Sequence, residues 1–280
     1  MKIEIVCSSS GIFGGVKRLY RLATYFNEAG HQAVVNMLDG SQNAWFDHNV
    51  PENVRIDPDV RICPETCQRP IKTAKNIAYV QAQFDPIEHD FDQIITTTNY
   101  LKDHLQSQDT RVDQVIPYGF DSTVFTADPS RRVLGRIGIM PRKGKQEFDL
   151  IRGLMPNEDF LVIDGLNEQQ TVKALQSCDY FFAISRCEGF GMPPFEAALC
   201  GCLVIGYHGK GGAAWLTQAT FVPCSFPQEF SIHLDLAKQG VYEDQRNALT
   251  GLVTSNLTLE KEKIAWLNVI NDISIPNFAW

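Results

Sequence analysis

The 280-residue sequence predicts an α/β protein made of two Rossmann-like parallel-sheet domains facing a central cleft. Three observations carry this expectation. Short apolar runs alternate with amphipathic helical stretches in both halves of the chain. The alternation restarts after residues 121–130, which carry turn residues and no strong period. Residues 179–201 read as buried strand, glycine loop and small-residue helix, the unit from which such sheets are wound. The expected domains are therefore 1–125 and 126–280, with the last helix packing back on the N-terminal domain.

In the first half, strands are expected at 3–7, 32–38, 76–81, 93–97 and 112–116. The first helix, 16–29, has apolar positions 16, 19, 22, 23 and 26 on one face and stops at Gly30. Asn99 is the expected cap of a helix over 100–106. Residues 40–75 read as irregular because Pro51, Pro58, Pro64 and Pro70 break every pattern there.

The second half opens with a strand over 133–140 and a helix over 145–154. A strand over 160–164 follows, then a helix entered through an Asn167–Gln170 capping box. Next come a strand at 180–185 and a helix with Pro194 in its first turn and Gly201 just past its end. Strands at 203–207 and 221–223 flank a short helix at 213–217, and the rest is helical up to an aromatic tail at 277–280.

Composition narrows the function. Apolar residues make up 44% and charged residues 21%, ordinary for a soluble globular protein. No apolar run is long enough to cross a membrane, and the first apolar stretch is short and interrupted by Glu4, so a strand rather than a signal peptide is expected there. The eight cysteines include no C-x-x-C pair and read as reduced core thiols of a cytoplasmic protein. Cys63 and Cys67 have ligand spacing but no second pair to complete a metal site.

A net charge of −8 argues against general polyanion binding. Residues 131–145 nevertheless hold six basic side chains and no acid, which suggests a local anion site. Lys17, Arg18 and Arg21 oppose the dipole of the first helix, an arrangement that a bound anion would offset. The bland alternative for both groups is a solvated basic face. Three cations on one helix are also only a weak signal for peripheral membrane contact.

The glycine loop carries the chemistry. Glu188 sits in it and Glu196 lies one turn into the following helix. A helix start offers backbone N–H groups and a positive dipole end, which suit phosphate. Gly189, Phe190, Gly191 and Met192 supply those amides. The two carboxylates suit neutral hydroxyls. Phosphate between two hydroxyl-binding carboxylates describes a nucleotide sugar.

The run Glu188-Gly-Phe-Gly-Met-Pro-Pro-Phe-Glu196, followed by Ala-Ala-Leu-Cys-Gly201, resembles the E-x7-E motif of retaining GT-B glycosyltransferases, particularly glycosyltransferase family 4, the group 1 transferases. That resemblance implies that Glu188 contacts the transferred sugar and Glu196 the ribose. It places Arg142 and Lys143 on the diphosphate, although the usual arginine position is Ile139 here. Gly14-Gly15-Val16 resembles the family's N-terminal Gly-Gly motif, which assigns Gly14 and Gly15 to the donor site. The segment from Val115 to Phe125 resembles the family's junction motif, with Tyr118 in place of the common asparagine. Where many members carry a histidine, residues 79–83 have none, so Gln81 and Gln83 are candidates to hydrogen-bond a sugar without acting as bases. Asn167 and His208 are further candidates on the donor side.

The implied reaction moves a sugar, with retention and without a metal or cofactor, from a nucleoside-diphosphate sugar to a hydroxyl on a glycan, lipid-linked or other carrier. Rival readings are a sugar-nucleotide epimerase, a non-catalytic nucleotide-sugar-binding module and a nucleic-acid-modifying transferase. The acidic net charge counts against the last, and stable nucleic-acid binding is not expected.

Overall fold

The structure, a computed structural model, describes residues 1–83 and 86–274; the aromatic tail at 277–280 lies outside the described residues. The chain forms two compact units, Met1–Tyr118 with Leu259–Trp280, and Gly119–Thr258.

The first unit contains β1 (Lys2–Cys7), α1 (Gly14–Glu28), β2 (Gln32–Met37), β3 (Val60–Pro64), β4 (Lys75–Val80), β5 (Gln93–Thr96), α2 (Asn99–Gln106) and β6 (Gln114–Val115). Its six strands lie in the order β2-β1-β3-β4-β5-β6 and all pair in parallel. Parallel sheets are covered on both faces, so their strands read as continuous apolar runs. Ile3, Ile5, Val6 and Val35 are accordingly fully buried.

Three expectations fail in this unit. β3 lies inside the stretch expected to be irregular, pairing Ile3 with Val60 and Ile62 with Ile77. Pro64 is its last residue and Pro58 precedes it, so the prolines mark the ends of a strand instead of its absence. β6 keeps only two residues of the strand expected at 112–116. The cap of α2 is Thr98, whose hydroxyl accepts from the Leu101 N–H at 3.2 Å, while Asn99 is already helical.

The second unit contains β7 (Ile137–Ile139), a 3₁₀ turn (Pro141–Lys143), α3 (Lys145–Leu154), β8 (Phe160–Val162), α4 (Glu168–Gln176), β9 (Tyr180–Ala183), α5 (Pro193–Leu199), β10 (Leu203–Gly206), a second 3₁₀ turn (Gly211–Ala214), β11 (Val222–Pro223), α6 (Glu229–Lys238) and α7 (Glu243–Asn256). The sheet order is β11-β10-β9-β7-β8, again parallel throughout. Ile137, Ile139, Phe182, Ile205 and Phe230 form the fully buried centre of its core.

β7 is shorter than the expected 133–140 because the chain first turns at Gly135, whose N–H donates to the Asp179 carboxylate at 3.2 Å. The break between the units falls at 118/119 rather than at 125/126. The Phe120 ring packs 5.9 Å from Phe190 and 5.3 Å from Phe195, inside the second unit.

The capping box of α4 forms as expected: the Asn167 side chain accepts from the Gln170 N–H at 2.9 Å, and Gln170 reaches back to the Asn167 N–H. Asn167→Ala is expected to lower stability by about 1 kcal/mol, read as a shift in the urea midpoint. An unchanged midpoint would show that solvent replaces the cap.

The final helix, α8 (Leu259–Ser274), belongs to the first unit and packs on α1. Its Trp266 is fully buried, edge-on to Phe26 at 6.5 Å and to Tyr79 at 4.8 Å. Arg18 of α1 and Glu262 of α8 pair at 3.4 Å in the same interior, where Tyr25 also donates its hydroxyl to Glu262 at 2.9 Å. Strand order reverses once in each sheet, between β1 and β3 and between β7 and β9. Open α/β sheets bind ligands outside the carboxyl ends of the strands at such points.

Candidate active site

At the reversal in the second unit, β7 ends on a fully buried Ile139 and the chain turns through Pro141, Arg142 and Lys143. The Lys143 Nζ reaches Glu188 Oε2, in the loop after β9, at 2.6 Å. Lys143 is 54% exposed and Glu188 18% exposed. So exposed a pair contributes at most about 1 kcal/mol to stability. Its consequence is chemical: a cation and a carboxylate stand together at the end of the sheet, open to a ligand.

The backbone of Glu188 is fixed as firmly as its side chain. Its N–H donates to the Gly209 carbonyl at 2.8 Å, and its carbonyl accepts from Gly211 N–H at 3.2 Å. The loops after β9 and β10 are thereby laced together. Gly211 cannot be replaced without moving this lacing, because a Cβ there would lie 1.9 Å from the Gly189 carbonyl oxygen.

Beyond Glu188, the Phe190 ring is buried and stacks on Trp215 at 4.8 Å. Pro193 and Pro194 occupy the first positions of α5 and carry no N–H, while Phe195 and Glu196 donate to the Met192 carbonyl at 3.0 and 3.2 Å. Gly191, before them, sits in the left-handed region at φ 82°. Glu196 is half-buried in the first turn of α5. Burial, together with the nearby Glu196 carboxylate, pushes the Cys200 thiol up to about 12.

The basic stretch 131–145 is mostly spent on structure. Arg131 pairs with Asp128 at 2.9 Å, Arg136 with Asp159 at 2.9 Å, and Lys145 with Asp149 at 3.1 Å. Arg132 donates to the Gly201 carbonyl at 2.9 Å, just past the end of α5. The acids that neutralise the run lie outside it in sequence, so it reads as a patch only along the chain. Arg142 is exposed beside Lys143.

In the first unit, Gly14 and Gly15 open α1 after Phe13, which provides no side-chain cap. A Cβ at Gly15 would lie 2.5 Å from the Gln81 amide oxygen, so the glycine lets the Gln81 amide close on the helix start. Gln81 is buried, and its amide oxygen accepts from the Tyr118 hydroxyl at 3.1 Å. Its Nε2 is buried without a partner. Gln83 is exposed, bonded to the Tyr100 hydroxyl at 2.6 Å and 3.3 Å from His104 Nδ1.

Arg18 is not an anion-facing cation. It is buried against Glu262, with its guanidinium 4.6 Å over the Tyr118 ring. Burial, the largest single influence, would lower its pKa, but the Glu262 carboxylate together with Tyr25, Tyr118 and Tyr79 raises it on balance. The sequence alone does not disclose this pair because its members stand at opposite ends of the chain. Tyr118 was legible only as a departure from the junction motif; its hold on Gln81 is a tertiary fact.

Of the other candidates, Asn167 uses its side-chain oxygen as the α4 cap, and His208 is exposed, with Nδ1 accepting from the Lys210 N–H at 3.0 Å. A cluster the sequence reading missed lies alongside: Arg186 donates to Glu147 at 2.7 Å and stands 3.9 Å over the Tyr207 ring, and the Tyr207 hydroxyl also bonds Glu147. It joins α3 to the loops after β9 and β10. The Glu147 carboxyl, which burial would raise, is held below its ordinary range by those Tyr207 and Arg186 hydrogen bonds. Seven cysteines are buried and Cys187 is exposed, all as free thiols. Among the described residues no group of three His, Cys, Asp or Glu side chains is placed to hold a metal ion.

Residues 137–222, from β7 to β11, match the family described as Glycosyl transferases group 1. An alpha-1,6-glucosyltransferase of Actinobacillus pleuropneumoniae serotype 7 is 28% identical over 131 residues, covering 44% of this chain and 39% of the relative. The chain thus spans about two fifths of that curated relative in the match. Among solved structures, Anabaena Alr3699/HepE in complex with UDP and glucose superposes with a TM-score of 0.76 at 14% identity, over 97% of this chain and all of the other. Sucrose-phosphate synthase from Thermosynechococcus elongatus superposes with a TM-score of 0.74 at 10% identity, over 97% and 98%. At these identities the superpositions establish the fold, which is GT-B. A segment similar to group 1 glycosyl transferases, residues 137–222, thus lies within a chain whose fold is GT-B.

Proposed function

We propose that this chain transfers a glycosyl group from a nucleoside-diphosphate sugar to a hydroxyl acceptor, with retention of configuration and without a metal. The observation that carries the reading is the Lys143–Glu188 pair at the strand-order reversal, within the group 1 segment. Lys143, with Arg142 beside it, stabilises the charge that develops on the departing diphosphate. Glu188 orients the sugar, Glu196 accepts from the ribose hydroxyls, and the amides of Gly189 to Met192 face phosphate oxygens.

Retention without a protein base is the mechanism inferred here. Gln81 and Gln83 can hydrogen-bond a sugar but do not take protons at neutral pH. As the bond from the anomeric carbon to the phosphate oxygen breaks, the acceptor oxygen bonds that carbon from the same face. Its proton passes to the departing phosphate oxygen. UDP-glucose is the first donor to test, because HepE was solved with UDP and glucose and the curated relative is a glucosyltransferase. The acceptor is a sugar hydroxyl on a glycan or a lipid-linked or other carrier. Free thiols throughout fit a reducing compartment such as the cytoplasm. No helix among the described residues is long and apolar enough to cross a membrane.

Thermal unfolding against UDP-, GDP-, dTDP- and ADP-sugars tests the donor assignment. A donor at a hundred times its Kd raises stability by about 2.7 kcal/mol. The gain is expected with one nucleotide family and is expected to vanish in Glu196→Ala. Stabilisation that survives Glu196→Ala would remove the ribose assignment, and no stabilisation by any donor would remove the reading.

A further inference from the structure

Lys210 is one of three non-glycine residues with positive φ among the described residues, and it differs from the other two. Asn53 and Asp109 are types that visit the left-handed region readily. Lys210 combines φ 59° with ψ −65°, and Gly211 N–H donates across it to the Gly209 carbonyl at 2.7 Å. Those angles and that bond define a γ-turn of the rare, strained hand. A glycine at 210 would form the turn without a Cβ penalty, and glycines stand on both sides of it. Strain retained where the neighbouring positions are glycine points to use of the side chain.

The turn is also where Glu188 is held. Lys210 and Glu188 form a parallel bridge, so the backbone of Lys210 stands opposite that of Glu188, whose carboxylate meets Lys143. The His208 Nδ1 braces the turn by accepting from the Lys210 N–H. In the turn after β7, the Lys143 ammonium already contacts Glu188, and the last residue of β7, Ile139, is fully buried and apolar. A diphosphate carries more than one negative charge, so a second cation beside Glu188 has work to do.

We propose that Lys210 is a phosphate-binding residue, a strained turn holding its ammonium beside Glu188 to contact the diphosphate of the donor. The proposal rests on the nucleoside-diphosphate-sugar reading above.

Calorimetric titration with UDP, GDP, dTDP and ADP, and with the matching nucleosides, is compared for the wild-type chain, Lys210→Met and Lys210→Gly. The wild type is expected to bind one of the diphosphates. Lys210→Met removes the charge and keeps the strained turn; it is expected to weaken that diphosphate by about tenfold or more. Binding of the nucleoside, which has no phosphate, is expected to stay within twofold. Lys210→Gly is expected to weaken the diphosphate equally and, with the strain relieved, to raise the unliganded Tm. Diphosphate binding within twofold of wild type in Lys210→Met overturns the inference and leaves the reading standing. Equal loss of the nucleoside assigns Lys210 to the fold and overturns it too. A lower Tm in Lys210→Gly overturns the strain argument on which the inference is built. A wild-type chain that binds none of the diphosphates overturns the reading and the inference together.

Discussion

Lys143→Met is expected to reduce kcat/KM for glycosyl transfer by about 10²- to 10³-fold, the usual consequence of removing one preorganised charge that faces a developing anion. Lys143 follows β7 at the reversal of strand order and meets Glu188 at 2.6 Å. The departing diphosphate gains charge as the glycosidic bond breaks, so a fixed cation binds the transition state more strongly than the ground state. The loss is therefore expected mainly in kcat, with a smaller rise in KM. Stability is expected to change little, because the side chain is 54% exposed. Steady-state kinetics with the donor selected by thermal unfolding, alongside Tm, separate these effects. A variant with full kcat would mean that Lys143 is a surface partner of Glu188 and that the diphosphate lies elsewhere.

The largest loss of stability is expected from Glu262→Leu, about 3–5 kcal/mol in the first unit. Glu262 is 5% exposed, and its removal leaves the Arg18 guanidinium buried without its carboxylate. The Tyr25 hydroxyl loses its acceptor as well. A buried pair replaced on both sides by apolar residues of similar size is often near neutral, so adding Arg18→Met is expected to restore much of the loss. Urea unfolding of the single and double variants measures the coupling. If Glu262→Leu costs under about 1 kcal/mol, water reaches this interior and α8 is held by Trp266 and its apolar neighbours alone.

Most elements were legible from periodicity and end signals. The capping box at Asn167 and the Pro194–Gly201 frame of α5 form as local chemistry dictates, because each partner lies within a few residues of the other. β3 was not legible. Val60–Pro64 is short, bounded by proline and held in the sheet by β1 and β4, which are distant in sequence. The basic stretch misled for a related reason: Asp128, Asp149 and Asp159 neutralise it from positions just outside the window in which it looks basic. Gly209 and Gly211 around Lys210 were the only hint of the strained turn, and glycine spacing does not say which residue between them bears the strain.

The sequence by itself determined the α/β class, the two-sheet design and the loop and helix bearing Glu188 and Glu196, because alternating apolar periods and a glycine–proline frame are local properties. Only the tertiary structure decided which charges remain for a ligand. It buried Arg18 against Glu262, neutralised Arg131, Arg136 and Lys145, seated Gln81 under Tyr118, and brought Lys143 to Glu188 across the strand order. Charge pairing depends on distance in space, and a parallel sheet joins strand ends that the chain keeps dozens of residues apart.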